Sequence, residues 1–131
     1  MSRQLSILLF FVSLALGAEP KHGRLSVREA FEQKAWCPTA YHLVKAEGDA
    51  AVPRIVAYLQ ENAGRDETAA RTRCGVLTGA LWYGGKFLSE DAILAVVVVA
   101  RGDDSPWVRI RAESCWAKHR TDVQKRQSER K

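Results

Sequence analysis

The sequence lacks the short motifs that mark the common catalytic and nucleotide-binding sites. It has no G-x-S-x-G, no P-loop and no glycine-rich nucleotide fingerprint. Its three histidines, His22, His42 and His119, share no spacing that would place two of them on one helix face as metal ligands, and no C-x-x-C occurs. These absences predict a protein without a cofactor or metal that is not an enzyme.

The chain carries little net charge outside its last residues. Residues 19–117 hold 13 basic and 13 acidic side chains, whereas residues 118–131 hold six Lys or Arg and two acids. We expect these last residues, the basic tail, to be flexible and to make at most weak, salt-sensitive contact with anionic surfaces. The net charge of +5 comes mainly from the tail. Because the rest of the chain has no excess of basic side chains to attract phosphates, nucleic-acid binding is not expected.

The first residues are typical of a secretory signal peptide. Arg3 precedes the apolar run Leu5 to Leu16, and small residues follow before Glu19. The run is about a dozen residues long, too short for a membrane span of ~20. We therefore expect residues 1–18 to be removed after Gly17 or Ala18, and the protein to be periplasmic or secreted; a retained anchor or a buried first helix is the alternative.

A shift of 38 positions aligns two segments of the chain. Six identities fall within this alignment, and they pair Ile55 with Ile93, Ala57 with Ala95, Gly64 with Gly102, Asp66 with Asp104, Arg71 with Arg109 and Arg73 with Arg111. Internal similarity at a fixed period is the signature of a repeat architecture. The repeated unit is predicted to be a helix, a turn and a second helix.

Capping residues divide each unit at similar places. Asp66 is predicted to begin the second helix of one unit, and Ser89 the first helix of the next. Ser105-Pro106 is typical of another helix start. The run Val96 to Val99 argues the other way, because β-branched residues favour strands and a buried strand here would give an α/β fold. We favour a buried helix at this run.

Residues 25–46 are predicted to add one or two helices that resemble the second half of a preceding unit. Val27, Ala30 and Phe31 lie at helical spacing, and Pro38 divides the segment. The fold class predicted for residues 19–117 is therefore all-α, a short solenoid of about two and a half helical hairpins.

The repeated segments resemble HEAT-like repeats of the phycobilisome-lyase type. The resemblance lies in residues 48–56 and in Asp104-Ser105-Pro106-Trp107-Val108-Arg109, and it covers roughly residues 48–117. It implies that the pairs Asp66 with Arg71 and Asp104 with Arg109 tie adjacent repeats together through charge-assisted hydrogen bonds. Some proteins of this type are metal hydroxylases with His-Glu pairs, but this sequence has no His-Glu dipeptide.

Cys37 and Cys74 are separated by nearly one repeat period. Equivalent positions on stacked helices could face each other, so an exported protein allows a disulfide between them, with Cys115 left unpaired. The alternative is three small buried hydrophobic residues.

Aromatic residues at helix ends are the remaining candidate sites. Trp82, Tyr83 and Trp107 lie at predicted helix ends, where exposed aromatic side chains commonly anchor an interface. Packing in the core is the competing interpretation.

Together these observations predict an exported, non-catalytic protein-binding module, in a specific form an inhibitor or immunity protein for a secreted toxin. Two other functions stay open: a small hydrolase with an unrecognised carboxylate site, and a surface-associated protein held by its basic tail.

Overall fold

The computed structural model describes residues 36–64 and 66–130, and this part of the chain is helical without strands. The α-helices are α1 (Pro38–Glu47), α2 (Val52–Glu61), α3 (Glu67–Leu77), α4 (Glu90–Arg101) and α5 (Pro106–Glu129). Short 3₁₀ turns at Gly48–Ala51 and Gly85–Phe87 precede α2 and α4, and Thr78–Tyr83 extends α3 as a π-helical segment. The all-α prediction is confirmed for these residues. None of the helices described has both the length and the apolar character that crossing a membrane requires.

The predicted signal peptide (residues 1–18) and the short helical pattern at Val27, Ala30 and Phe31 lie outside the described residues. At the other end, the boundary predicted at Lys118 falls within helix α5. Helix α5 runs without interruption from Pro106 to Glu129, so most of the basic tail continues the last helix of the fold.

The helix starts predicted at Asp66 and Ser89 are confirmed, whereas Asp49, also predicted to begin a helix, lies in the 3₁₀ turn before α2 and does not cap it. The Asp66 carboxylate accepts a hydrogen bond from the Ala69 backbone N–H at 3.0 Å, and the Ser89 hydroxyl accepts one from the Ala92 N–H at 3.1 Å. Both bonds satisfy N–H groups that a helix N-terminus leaves without intrahelical partners. Ser105 occupies the N-cap of α5 ahead of proline, but its side chain makes no capping hydrogen bond.

The valine run lies inside α4, so the alternative of a buried strand is wrong. Val96 and Val97 are fully buried, together with Ile93 and Ala100 at helical spacing, whereas Val98 is 55% exposed. Because one stripe of this helix is buried in the core, packing outweighs the modest preference of valine for strands. The Ser89 cap and the two acids of the first turn further stabilise the helical state.

Helices with equivalent places in the two sequence repeats lie side by side. Helix α2 packs against α4, α3 packs against α5, and α4 also packs against α5. Positions matched by the 38-residue shift have matching burial: Ile55 and Ile93 are 3% and 1% exposed, and Leu77 and Cys115 are 0% and 1% exposed. The core therefore receives corresponding side chains from both segments.

The π segment (Thr78–Tyr83) is the irregular element of the fold. Helix α1 packs against it, and the carbonyl oxygen of Cys37 approaches Gly79 so closely that a Cβ there would lie 2.3 Å from it. Only glycine fits this approach without a backbone shift. The Cys37 backbone N–H also donates to the Gly75 carbonyl at 2.9 Å, so the start of α1 is fixed to the end of α3.

Candidate functional site

A cavity of about 300 Å³ opens where α5 crosses the end of the π segment. Its walls combine aromatic and charged side chains, and we call it the aromatic–basic groove. It is lined by Leu81, Trp82, Tyr83, Gly85, Lys86, Lys118, His119, Asp122 and Arg126.

Two stretches of chain supply these walls. One stretch is the π segment with the following 3₁₀ turn, which presents Trp82, Tyr83 and Lys86. The other is α5, where residues 118, 122 and 126 follow one another at intervals of four and therefore share one helix face. The packing of α5 against the π segment brings the two stretches together.

Lys118 lines the groove and is held in place by two contacts. Its Nζ donates to the Asp122 carboxylate at 2.8 Å and lies 5.5 Å from the centroid of the Trp82 ring. The hydrogen bond from Lys118 lowers the pKa of Asp122 below its usual value, and the charge of Arg126 acts in the same direction. The Arg111 guanidinium is a second cation near the Trp82 ring, at 5.8 Å. Both cations benefit from the negative potential of the ring face.

His119 joins the groove to α4. Its Nε2 lies 3.2 Å from Glu90 Oε1, and its ring stacks on Trp116 with 5.6 Å between centroids. The side chain is only 13% exposed. These contacts fix the orientation of the imidazole at the edge of the cavity.

An aromatic cluster borders the groove on the side of α1. Trp36 contacts Tyr83 with ring centroids 5.0 Å apart and Tyr41 at 5.4 Å, and Tyr41 reaches Phe87 at 5.9 Å. Lys86 Nζ lies 5.3 Å from the Phe87 ring. Trp36 and Tyr83 are nevertheless 38% and 41% exposed. The cluster therefore presents apolar area to solvent beside the groove cations.

The structure places the three interface candidates differently. Trp82 and Tyr83 both line the groove. Trp107 is partly buried and packs against the hydrophobic core at the start of α5, away from the groove residues. Lys118 and Arg126 were noted in the sequence only as members of the basic tail, and Lys86 was not singled out, since only the packing of distant segments brings the three cations together.

A polar tie joins the turns of the two repeats. Arg73 is completely buried, and its guanidinium donates to both carboxylate oxygens of Asp103 at 2.8 Å. The same guanidinium donates to the carbonyl oxygens of Asn62 at 2.5 Å and Gly64 at 2.7 Å. Arg73 thus joins the turn between α2 and α3 to the turn between α4 and α5.

Two of the residues that the resemblance assigns to such a tie, Asp66 and Arg109, have local contacts. Asp66 caps its own helix, and Arg109 donates to the Asp103 backbone carbonyl at 2.6 Å, within its own turn. Asp104 is exposed at that turn, and Arg71 is partly buried on α3. A sequence signal for Arg73 did exist: it is identical to Arg111 in the repeat, and both arginines are buried.

All three cysteines are buried free thiols, and the predicted disulfide between Cys37 and Cys74 is not formed. Burial raises the pKa of Cys74 and of Cys115 to about 12. The Cys115 thiol contacts the Leu77 carbonyl oxygen at 3.8 Å, across the interface between α5 and α3. The three cysteines are therefore small buried residues of the core, as the alternative interpretation of the sequence predicted.

No group of three or more His, Cys, Asp or Glu side chains is arranged to hold a metal ion within residues 36–64 and 66–130. No protein-family model matches the chain, and comparison with curated proteins and with solved structures gives no significant match. Interpretation of the groove therefore depends on its own geometry and charge.

Proposed function

We propose that this protein is an exported, non-catalytic binding module of HEAT-like helical hairpins, and that the aromatic–basic groove is the surface that holds its protein partner. The observation that carries the proposal is the juxtaposition of exposed aromatic rings, Tyr83 and Trp36, with the cations of the groove. Aromatic side chains combined with basic ones are typical of the residues that dominate protein–protein binding energy.

The HEAT-like part of the proposal is supported by the agreement between sequence repeat and burial. Ile55 and Ile93, like Leu77 and Cys115, are equally buried at a separation of 38 residues. The equivalent helices also lie side by side, α2 with α4 and α3 with α5. Stacked helical repeats offer extended surfaces for macromolecules.

The lowered pKa values of three described carboxylates argue against these three groups as general acids or bases. A general acid or base works best with a pKa near neutrality. The pKa values that are shifted among the described carboxylates, those of Asp49, Glu113 and Asp122, are all lowered by hydrogen bonds from Ser89, Arg101 and Lys118 respectively. These groups are therefore weaker bases than ordinary carboxylates, and each has a structural partner.

The π segment provides independent support for a site at this place. Single π-helical turns inside α-helices occur frequently at functional sites. Here the segment carries Leu81, Trp82 and Tyr83 into the groove. A narrower form of the proposal follows from the predicted export: the partner is a secreted toxin, and this protein is its inhibitor or immunity protein.

Site-specific photo-cross-linking tests the proposal. A benzoylphenylalanine in place of Tyr83 should give a discrete cross-linked protein in the periplasmic or secreted fraction of the native host. The matched control carries the same amino acid in place of Gln60, which is exposed on α2 and does not line the groove. Equal products from both positions, or none from Tyr83, would contradict the proposal.

A second arm of the experiment addresses surface association through the basic tail. Full-length protein is sedimented with vesicles of anionic phospholipid and, separately, with neutral vesicles. Strong cosedimentation with the anionic vesicles alone, together with no cross-link from Tyr83, would replace the binding module by a surface-associated protein.

A further inference from the structure

We propose that the aromatic–basic groove binds an acidic peptide segment of its partner, whose carboxylates pair with Lys86 and Arg126 while a neighbouring apolar side chain packs on Trp82 and Tyr83. The inference rests on the proposed function and names the chemistry of the partner. It is carried by the charge of the groove, by the partners its cations already have, and by its size.

The groove has a surplus of positive charge. Lys86, Lys118 and Arg126 face a single carboxylate, Asp122, within the lining. Asp122 is engaged by Lys118 at 2.8 Å. The described part of the chain places no carboxylate within salt-bridge distance of Lys86 or Arg126. Two cations at opposite walls are thus available to carboxylates from outside.

The aromatic wall complements these cations. Tyr83 is 41% exposed although it contacts Trp36. Trp82 is partly buried beneath Lys118, so its ring is fixed rather than free to rotate. Fixed aromatic rings gain contact area on binding with little loss of side-chain entropy. An apolar side chain of a partner placed here would lie in the same cavity as the two cations.

The size of the cavity favours a peptide segment over a larger element. About 300 Å³ accommodates one or two side chains and is at the lower end of small-ligand pockets. Nucleic acid fits less well, because its affinity depends on many phosphate contacts, and an acidic side chain lies among the few cations of the groove. A short acidic segment needs only the two available cations.

The test is an NMR titration of the ¹⁵N-labelled full-length protein with the acetylated and amidated pentapeptide Glu-Glu-Phe-Glu-Glu at millimolar concentration. The control peptide is Gln-Gln-Phe-Gln-Gln. We expect the Trp82 indole N–H, assigned with Trp82→Phe, and the amides of residues 81–86 to shift with the acidic peptide and much less with the neutral one.

Matched charge variants locate the binding. Lys86→Glu combined with Arg126→Glu should weaken binding of the acidic peptide about tenfold or more. Lys45→Glu combined with Lys125→Glu changes the net charge equally at exposed positions on α1 and α5 outside the groove lining. This control pair should retain most of the affinity. Equal losses in the two double variants, or equal binding of the two peptides, would overturn the inference.

The outcomes separate the inference from the function on which it rests. A partner that cross-links through a segment without acidic residues contradicts the inference and leaves the binding function intact. Selective binding of the acidic peptide with no cross-linked partner supports the chemistry of the groove and contradicts the proposed function. Shifts caused equally by vesicles of anionic phospholipid would assign the groove to lipid headgroups instead of peptide carboxylates.

Discussion

The guanidinium of Arg73 holds both carboxylate oxygens of Asp103, each at 2.8 Å, across 30 residues of sequence. The carboxylate is further fixed by the Ser105 backbone N–H, which donates to Asp103 Oδ1 at 2.8 Å. One buried ion pair therefore sets the position of the α4–α5 turn against the α2–α3 turn. Because a buried charge is stable only with its partners, this contact has consequences that can be measured.

The first prediction concerns the loss of one member of that pair. Asp103→Ala leaves the buried Arg73 guanidinium without its counter-charge and should lower the free energy of unfolding by about 3–5 kcal/mol. Urea denaturation followed by circular dichroism measures the change. The control is Asp104→Ala at the adjacent, exposed acid, which should change the stability by no more than about 0.5 kcal/mol. If Asp104→Ala lowered the stability as much as Asp103→Ala, the result would favour the tie between Asp104 and Arg109 that the sequence resemblance implies.

The second prediction concerns the contact between α1 and the π segment. Gly79→Ala places a Cβ 2.3 Å from the Cys37 carbonyl oxygen. The backbone must move apart, at a cost of about 1–3 kcal/mol in stability despite the better helix propensity of alanine. Gly102→Ala is the control, since its nearest neighbour, the Val99 carbonyl oxygen, would lie at an ordinary 3.6 Å. Thermal unfolding should separate the two variants clearly.

The third prediction concerns the thiols. With pKa values raised to about 12, Cys74 and Cys115 have almost no thiolate at pH 8, and both are buried. Since thiolate is the reactive form, the native protein should react slowly with a thiol reagent such as dithionitrobenzoate. Three equivalents should react quickly after unfolding in urea without reductant. A count of one would instead reveal a disulfide, and rapid labelling of the native protein would contradict the burial.

The fourth prediction concerns pH and the groove. The hydrogen bond from Lys118 lowers the pKa of Asp122, so this pair stabilises the fold above the ordinary carboxylate pKa and loses its effect as pH falls through the lowered value. Lys118→Met should therefore raise the Asp122 pKa toward its ordinary value. Titration of the side-chain carboxyl carbon by NMR measures it. Lys125→Met, on the same helix but outside the groove lining, should leave the pKa unchanged.

Local chemistry allowed much of the helical framework to be predicted from the sequence. Asp66 and Ser89 cap the helices that they were expected to begin. The 38-residue shift paired positions such as Ile55 and Ile93 that are both buried. These features depend on neighbouring residues or on periodicity, which a single sequence contains.

Features created by tertiary contacts were not predictable in the same way. The π segment coincides with the close approach of the Cys37 carbonyl to Gly79, which lies 42 residues further along the chain. The groove needs Lys86 and Arg126 on two packed elements, so the sequence indicated Trp82 and Tyr83 as interface candidates and Arg126 only as part of the basic tail. Helix α5 continues through the polar tail, where no apolar stripe predicted a stable helix.

The π segment makes the direction of the groove aromatics depend on the winding of the helix as well as on residue identity. Each residue of an α-helix turns the chain through about 100°, whereas each residue of the wider π turn, with its i→i+5 hydrogen bonds, turns it through a smaller angle. Substitutions that returned Thr78–Tyr83 to α-helical winding without changing the number of residues would therefore rotate Trp82 and Tyr83 relative to α3, and so carry them off the wall shared with α5. A one-residue deletion that restored α-helical winding would instead offset this rotation, so the chain could lose a residue here and keep its aromatic wall.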